Sequence, residues 1–282
     1  MVQLITDSAA DFTPEELEEL NIACIPITVI FGEQGYRENV DLSRSQFYDL
    51  LLAGKDFPKT AQPSPQLLEK LFTEAHARGD EAIYITLSSA ISGTYQTACM
   101  IRDMLGYAGA YVLDSRNGTG GQRMVAEQAV RLRDAGCTAG EIVAELEQYR
   151  SRVRLYACID TLEYLYRGGR ISHTIYKLGT VAQIKPIIQV SEVGTVDVPG
   201  KAMGMRRGME HLCKKLDTNP PDERYPLYVM YTNDRTVAET LARHLREQGY
   251  AVPEERIISV GAAIGSHIGP GACGLVYVGK ET

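Results

Sequence analysis

The stretch Ala82-Ile83-Tyr84-Ile85-Thr86-Leu87, running through Ser88-Ser89-Ala90-Ile91-Ser92-Gly93 into residues 94–105, decides the fold. The first six residues, apolar and rich in β-branched types, read as a buried strand. The small-residue loop turns the chain, and the next dozen or so residues read as a helix. The same grammar extends upstream. Residues 2–6 form a strand ending at Asp7-Ser8. Thr13-Pro14-Glu15-Glu16 is a capping box with proline at the first helical position, so a helix runs to Leu20. Residues 22–31 read as the next strand and residues 43–52 as a helix ended by Gly54. Ser64-Pro65 opens another helix, which stops at Gly79. Downstream come a strand over 110–113 and helices over 120–134 and 138–150, the second opened by Thr138 and Glu141. Strands alternating with helices predict a parallel sheet covered on both faces.

Beyond Arg150 the pattern changes. Residues 153–159 read as a strand and 161–166 as a short helix. Residues 184–190 and 195–198 form a hairpin turning at Glu192-Val193-Gly194. A helix over 206–216, a strand over 227–231, a helix over 236–248 and strands over 256–260 and 274–278 follow. Hairpins mixed with two helices predict an α+β layer with a mainly antiparallel sheet. The expected architecture is therefore two domains: a three-layer α/β/α unit over 1–152 and an α+β unit over 153–282.

Composition narrows the function. The chain has 282 residues, 44% hydrophobic and 23% charged, enough apolar material for a core and a cavity. A formal charge of -7 argues against a nucleic-acid surface as the main function. The six cysteines include no C-x-x-C pair, and several sit inside apolar runs, so they read as free thiols in a reducing compartment. The five histidines lack metal-ligand spacing, and no metal or cofactor is expected. The N-terminus enters a strand without a basic leader, and the longest apolar run, 22–31, is too short to span a bilayer. A soluble cytoplasmic protein is expected, and a monomer.

Three loops fall where regular structure stops. In Lys59-Thr60-Ala61-Gln62-Pro63-Ser64-Pro65 the prolines stiffen the backbone that presents Thr60, although Ser64 is also an ordinary helix cap. In Leu87–Gln96 a strand feeds a loop and then a helix start, where free N–H groups and the helix dipole favour an anion. Ser92 adds a hydroxyl there and Gly93 admits close approach, though Ser92 could be no more than a cap. In Gly261–Ala272, His267 is flanked by four glycines; it could reach a carboxylate or simply lie in a surface loop. Asn117–Arg123 imitates a dinucleotide fingerprint but has Arg123 at the final glycine position. Arg167-Gly168-Gly169-Arg170-Ile171-Ser172 suits either a phosphate or a partner protein.

In order and spacing, these segments resemble the DegV family of bacterial fatty-acid-binding proteins. The similarity also includes Thr6-Asp7-Ser8, Tyr36, Asp114-Ser115 and Lys185-Pro186-Ile187-Ile188, and covers nearly the whole chain. The resemblance implies a long-chain fatty acid, such as palmitate, in a tunnel between two domains. Thr60 and Ser92, with the Gly93 amide, would hydrogen-bond its carboxylate, and His267 would lie at the same head group. It also implies a separate fatty acid kinase that phosphorylates the bound acid, with Arg170 and Arg206 on the docking side. Where the family often carries alternating basic residues after Gly200-Lys201, this chain has Met203 and Met205, with Arg206 and Arg207 slightly later. That departure bears on docking and leaves lipid binding untouched.

Two rivals belong to other classes. A serine hydrolase would use Ser92 with His267 and an acid such as Asp114. Its elbow G-x-S-x-G is missing, because Ala90 and Thr94 occupy the glycine positions. A small-molecule phosphotransferase would need a nucleotide or metal signature, and none is visible.

Overall fold

A computed structural model describes residues 1–54, 56–178 and 184–281. Its strands, in chain order, are β1 (Val2–Asp7), β2 (Ile22–Ile25), β3 (Thr28–Phe31), β4 (Gln34–Arg37), β5 (Lys59–Ala61), β6 (Glu81–Thr86), β7 (Ala110–Asp114), β8 (Val153–Cys158), β9 (Ile184–Val190), β10 (Val196–Met203), β11 (Tyr228–Tyr231), β12 (Ile257–Ser259) and β13 (Cys273–Val278). The helices are α1 (Pro14–Glu19), α2 (Arg44–Leu52), α3 (Pro65–Arg78), α4 (Thr94–Leu105), α5 (Thr119–Asp134), α6 (Ala139–Arg152), α7 (Glu163–Arg167), α8 (His173–Leu178), α9 (Gly204–Thr218), α10 (Arg235–Glu247) and α11 (Ala262–Ile268).

Local chemistry places the helix ends. Thr13 and Thr138 both close full capping boxes, with Glu16 and Glu141 reaching back to the cap amides. Ser64 caps α3, and Gly79 ends it with φ 71°. A parallel sheet follows in the order β2-β1-β6-β7. Helices α3 and α4 cover one face, burying Phe72, Ala98 and Ile101 against Ile5 and Tyr84. Helices α5 and α6 cover the other, with Met124, Ala126 and Ile142 against Leu4, Ile83 and Leu113. The second sheet runs β10-β9-β8-β13-β11-β12 and is antiparallel except for the β11–β12 pair. Helices α9 and α10 pack on its outer side. The expected fold class, a parallel-sheet α/β/α layer joined to a mainly antiparallel α+β layer, is the one observed.

Helix α5 lies between the two sheets, and one continuous core joins Leu4 and Ile83 through Val125 to Leu155 and Val276. Its glycine-rich start has a packing purpose. A Cβ on Gly120 would come within 2.7 Å of Val276 and 2.8 Å of the Met230 sulfur, and one on Gly118 within 2.9 Å of Leu87. The segment that imitates a nucleotide fingerprint is thus a close helix–sheet contact.

Three local expectations are corrected. The run 22–31 is two strands. Pro26 has no N–H to give a ladder, so the strand breaks after Ile25, which still pairs with Asp7, and β2 joins the parallel sheet. Strand β3 instead joins a small antiparallel sheet in the order β4-β3-β5. Residues 59–61, read as loop, form β5, with Thr60 opposite Val29. Within the glycine-rich stretch 261–272, residues 262–268 are helical. Gly261 caps that helix, Gly269 leaves it at φ 77°, and Gly265 lets it press on α2, where a Cβ would meet Phe47 and the Tyr48 hydroxyl at 2.8 Å. Glycine there reflects tight packing against α2.

Candidate functional site

A cavity of about 200 Å3 is enclosed by β5, the loop before α4, the first residues of α5, strands β8 to β10 and α11. Three loops singled out in the sequence converge on it. Thr60 comes from β5, Ser92 and Gly93 from the β6–α4 connection, and His267 from the last turn of α11. The rest of the wall is largely aliphatic, with Leu87, Ile91, Leu155, Ile188, Ile264 and Ile268. Among the described residues no Asp or Glu lines it. A smaller apolar void shares Thr119, Leu155 and Ile268 with this cavity and extends the greasy lining towards Met230 and Cys273.

The polar end is tightly built. Thr60 Oγ1 and His267 Nε2 share a hydrogen bond of 2.8 Å. Burial, helped by the Arg170 charge, pushes the His267 pKa down to about 3, so the imidazole is neutral at physiological pH. Its Nδ1 is buried and has no hydrogen-bond partner among the described residues. That nitrogen rests on Gly168, where any Cβ would fall well inside van der Waals contact of it. Ser92 Oγ pairs with Thr94 Oγ1 at 2.8 Å, and its backbone N–H donates to Ser88 O at 3.1 Å. Gly93 stands at the N-cap of α4 without a side-chain cap. A Cβ there would strike the Gln62 amide, whose Oε1 accepts from Thr97 Oγ1 at 2.8 Å.

Arg170 belongs to this wall. Its half-buried guanidinium donates from Nε to Ile91 O at 3.0 Å and from Nη1 to Gly168 O, and it forms no ion pair among the described residues. Burial lowers its pKa from the usual arginine value, yet it stays charged. The resemblance associates Arg170 with partner docking; its side chain also lines the cavity, and its charge acts on His267. The available signal was its position two residues after Gly168. Arg206 lies elsewhere, 81% exposed on α9, with Glu210 at 3.9 Å.

Such a site presents two hydroxyls, a neutral imidazole, a helix start and a cation that no described carboxylate pairs, all on the wall of an apolar hollow. It suits an anionic head on a hydrophobic tail. The hydrolase geometry is not assembled. Ser92 Oγ bonds Thr94 and His267 Nε2 bonds Thr60, while Asp114 accepts from Ser89 Oγ at 2.6 Å and from Arg116 N at 2.8 Å. Among the described residues no group of three His, Cys, Asp or Glu side chains could hold a metal ion, and no helix is long and apolar enough to cross a membrane.

A family model described as "Uncharacterised protein, DegV family" matches residues 1–280. The chain belongs to the DegV family. A DegV domain-containing protein of Caldanaerobacter subterraneus subsp. tengcongensis is 31% identical over 283 residues, covering 99% of both chains. Among solved structures, a DegV family protein from Thermus thermophilus, described by its fatty acid binding, superposes with a TM-score of 0.89 at 28% identity over 99% of each chain. DegV of Bacillus subtilis, described as a fatty acid binding protein, gives 0.84 at 28% identity, again over 99% of each chain. DegV relatives bind fatty acids.

Proposed function

We propose that this DegV protein binds one long-chain fatty acid, such as palmitate, in a tunnel between domains spanning 1–152 and 153–282. Thr60, Ser92, the Gly93 amide and His267 hold the carboxylate, and Arg170 balances its charge. The acyl chain lies along Leu155, Ile188, Ile264 and Ile268. The observation that carries this reading is the Thr60–His267 pair beside Ser92 and Arg170 at the rim of an aliphatic hollow that no acidic side chain lines among the described residues. Each buried methylene contributes about 0.8 kcal/mol, so a chain of about sixteen carbons gains roughly 12 kcal/mol before association costs. The tail supplies affinity and the head sets register, because an unpartnered buried carboxylate is strongly disfavoured.

The protein acts in the cytoplasm as a monomer, supplies no catalytic base, and presents its cargo to a separate fatty acid kinase. Arg206 serves that docking, while Met203 leaves part of the same ridge apolar and 54% exposed. Denaturing extraction of the protein purified from bacteria, followed by mass spectrometry, is expected to release close to one equivalent of free fatty acid. A lipid-free protein that hydrolyses p-nitrophenyl esters, and loses that activity in Ser92→Ala, would favour the hydrolase instead.

A further inference from the structure

The geometry points to Asp11 and Glu38 as positioning residues that together clamp the start of α11 and so fix where its last turn presents His267. The inference rests on the head-group role proposed above for His267. Both side chains are 1% exposed, and neither lines the cavity. Their oxygens are nonetheless committed to elements that do. Asp11 Oδ1 accepts from Gly261 N at 2.8 Å, and Oδ2 from Thr119 Oγ1 at 2.5 Å. Glu38 Oε1 accepts from Ala263 N at 3.2 Å, and Oε2 from Ser8 Oγ at 2.6 Å. Ser8 Oγ in turn accepts from Ile27 N at 2.9 Å. Ile27, Thr119 and Ala263 all belong to the cavity wall.

Helix α11 has seven residues. A helix this short has little stability of its own, and its first amides have no partners within it. Here the two carboxylates supply those partners. Gly261 is the pivot: a Cβ on it would lie 2.8 Å from Asp11 Oδ1 and closer still to Glu38 Oε1. Only glycine lets both acids reach the helix start. Ala263 and His267 stand four residues apart, so they occupy successive turns of one face. Any displacement of the Ala263 amide is therefore carried one turn along to the imidazole. Arg44 braces the same region from α2, donating to Ser259 O at 2.9 Å and Phe12 O at 2.8 Å, and its charge offsets those of the two acids. Burial raises both carboxyl pKa values, and the Asp11 charge adds to the rise at Glu38.

The test uses full-length, delipidated protein and two readouts: the imidazole 1H–15N signals of His267, and palmitate affinity from displacement of a fluorescent fatty acid. Glu38→Ala is expected to shift the His267 signals and weaken palmitate binding about tenfold. Glu38→Gln keeps the acceptor for Ala263 N and should recover affinity to within about threefold of wild type. If Glu38→Ala does not fold, Asp11→Asn carries the test, with the same signals displaced and a loss of about threefold. His267 signals that stay in place in a folded variant overturn the clamp, even if affinity falls. Displaced signals with unchanged palmitate affinity support the clamp and overturn the head-group role of His267.

Discussion

Thr60→Val removes one hydroxyl from the polar end of the cavity and alters almost nothing else. Valine matches threonine in volume and suits a strand, so β5 and its pairing with β3 should survive. The lost contact is the 2.8 Å bond to His267 Nε2. Since Nδ1 has no partner among the described residues, the substitution leaves neither ring nitrogen of a mostly buried imidazole paired within them. An unsatisfied buried group of this kind costs about 1–3 kcal/mol, which appears as a lower unfolding midpoint of the lipid-free protein. In the loaded protein the carboxylate also loses a donor, and a hydrogen bond to a charged acceptor contributes about 1.5–3 kcal/mol. Affinity for palmitate should therefore fall roughly 10- to 150-fold. Displacement of a fluorescent fatty acid measures the ratio directly, with hexadecanol as the uncharged comparison, whose affinity should change far less. A palmitate Kd within twofold of wild type would refute the placement of the carboxylate at Thr60.

Gly168→Ala should reproduce much of that loss by pushing the His267 ring off its seat; in a double-mutant cycle with Thr60→Val the two losses should not add, since both act on one imidazole. Arg170→Gln should weaken palmitate binding and leave hexadecanol binding near wild type, because the side chain contributes charge and little apolar contact; equal losses for both ligands would assign Arg170 to structure alone. Stability should respond to pH through Glu38, whose pKa rises from an ordinary 4.5 to about 7 on folding. The native state then holds a proton that the unfolded chain has released, so acidification from about pH 8 to about pH 5 stabilises the fold through this group. His267, lowered from 6.5 to about 3, contributes stability that is complete above 6.5 and is lost as pH falls towards 3. Urea midpoints of wild type minus those of Glu38→Gln isolate the first effect; a difference that is flat across this range would contradict it.

Helix boundaries were the most legible part of this chain. Thr13, Ser64 and Thr138 each sit immediately before a helix and cap it through their own side chains, so spacing alone located them. The hairpin turn was readable because Gly194 adopts φ 86°. What the sequence hid was decided by distant partners. Pro26 marks a break within an apolar run, but nothing local says that β2 and β3 join different sheets. Residues 262–268 carry a glycine and a serine in an environment where packing on α2 outweighs intrinsic helix preference. At the site, Thr60, Ser92 and His267 could be singled out as loop residues of suitable chemistry, yet their meeting depends on contacts more than two hundred positions apart. Arg170 offered only charge, which a surface would have explained equally well. Asp11 and Glu38 gave no warning, since acidic residues are seldom buried.

The sandwiching of α5 between the sheets limits how the molecule can breathe. Proteins that swallow a ligand by swinging two lobes about a hinge keep few apolar contacts across the cleft. Here Val125 and Met124 tie both lobes to one shared helix, and Ser88 Oγ reaches across to Gly194 O at 2.9 Å. Parting the lobes would expose the middle of the main core. On the proposed reading, a lipid would thread in past peripheral pieces, with the sheets standing still around it.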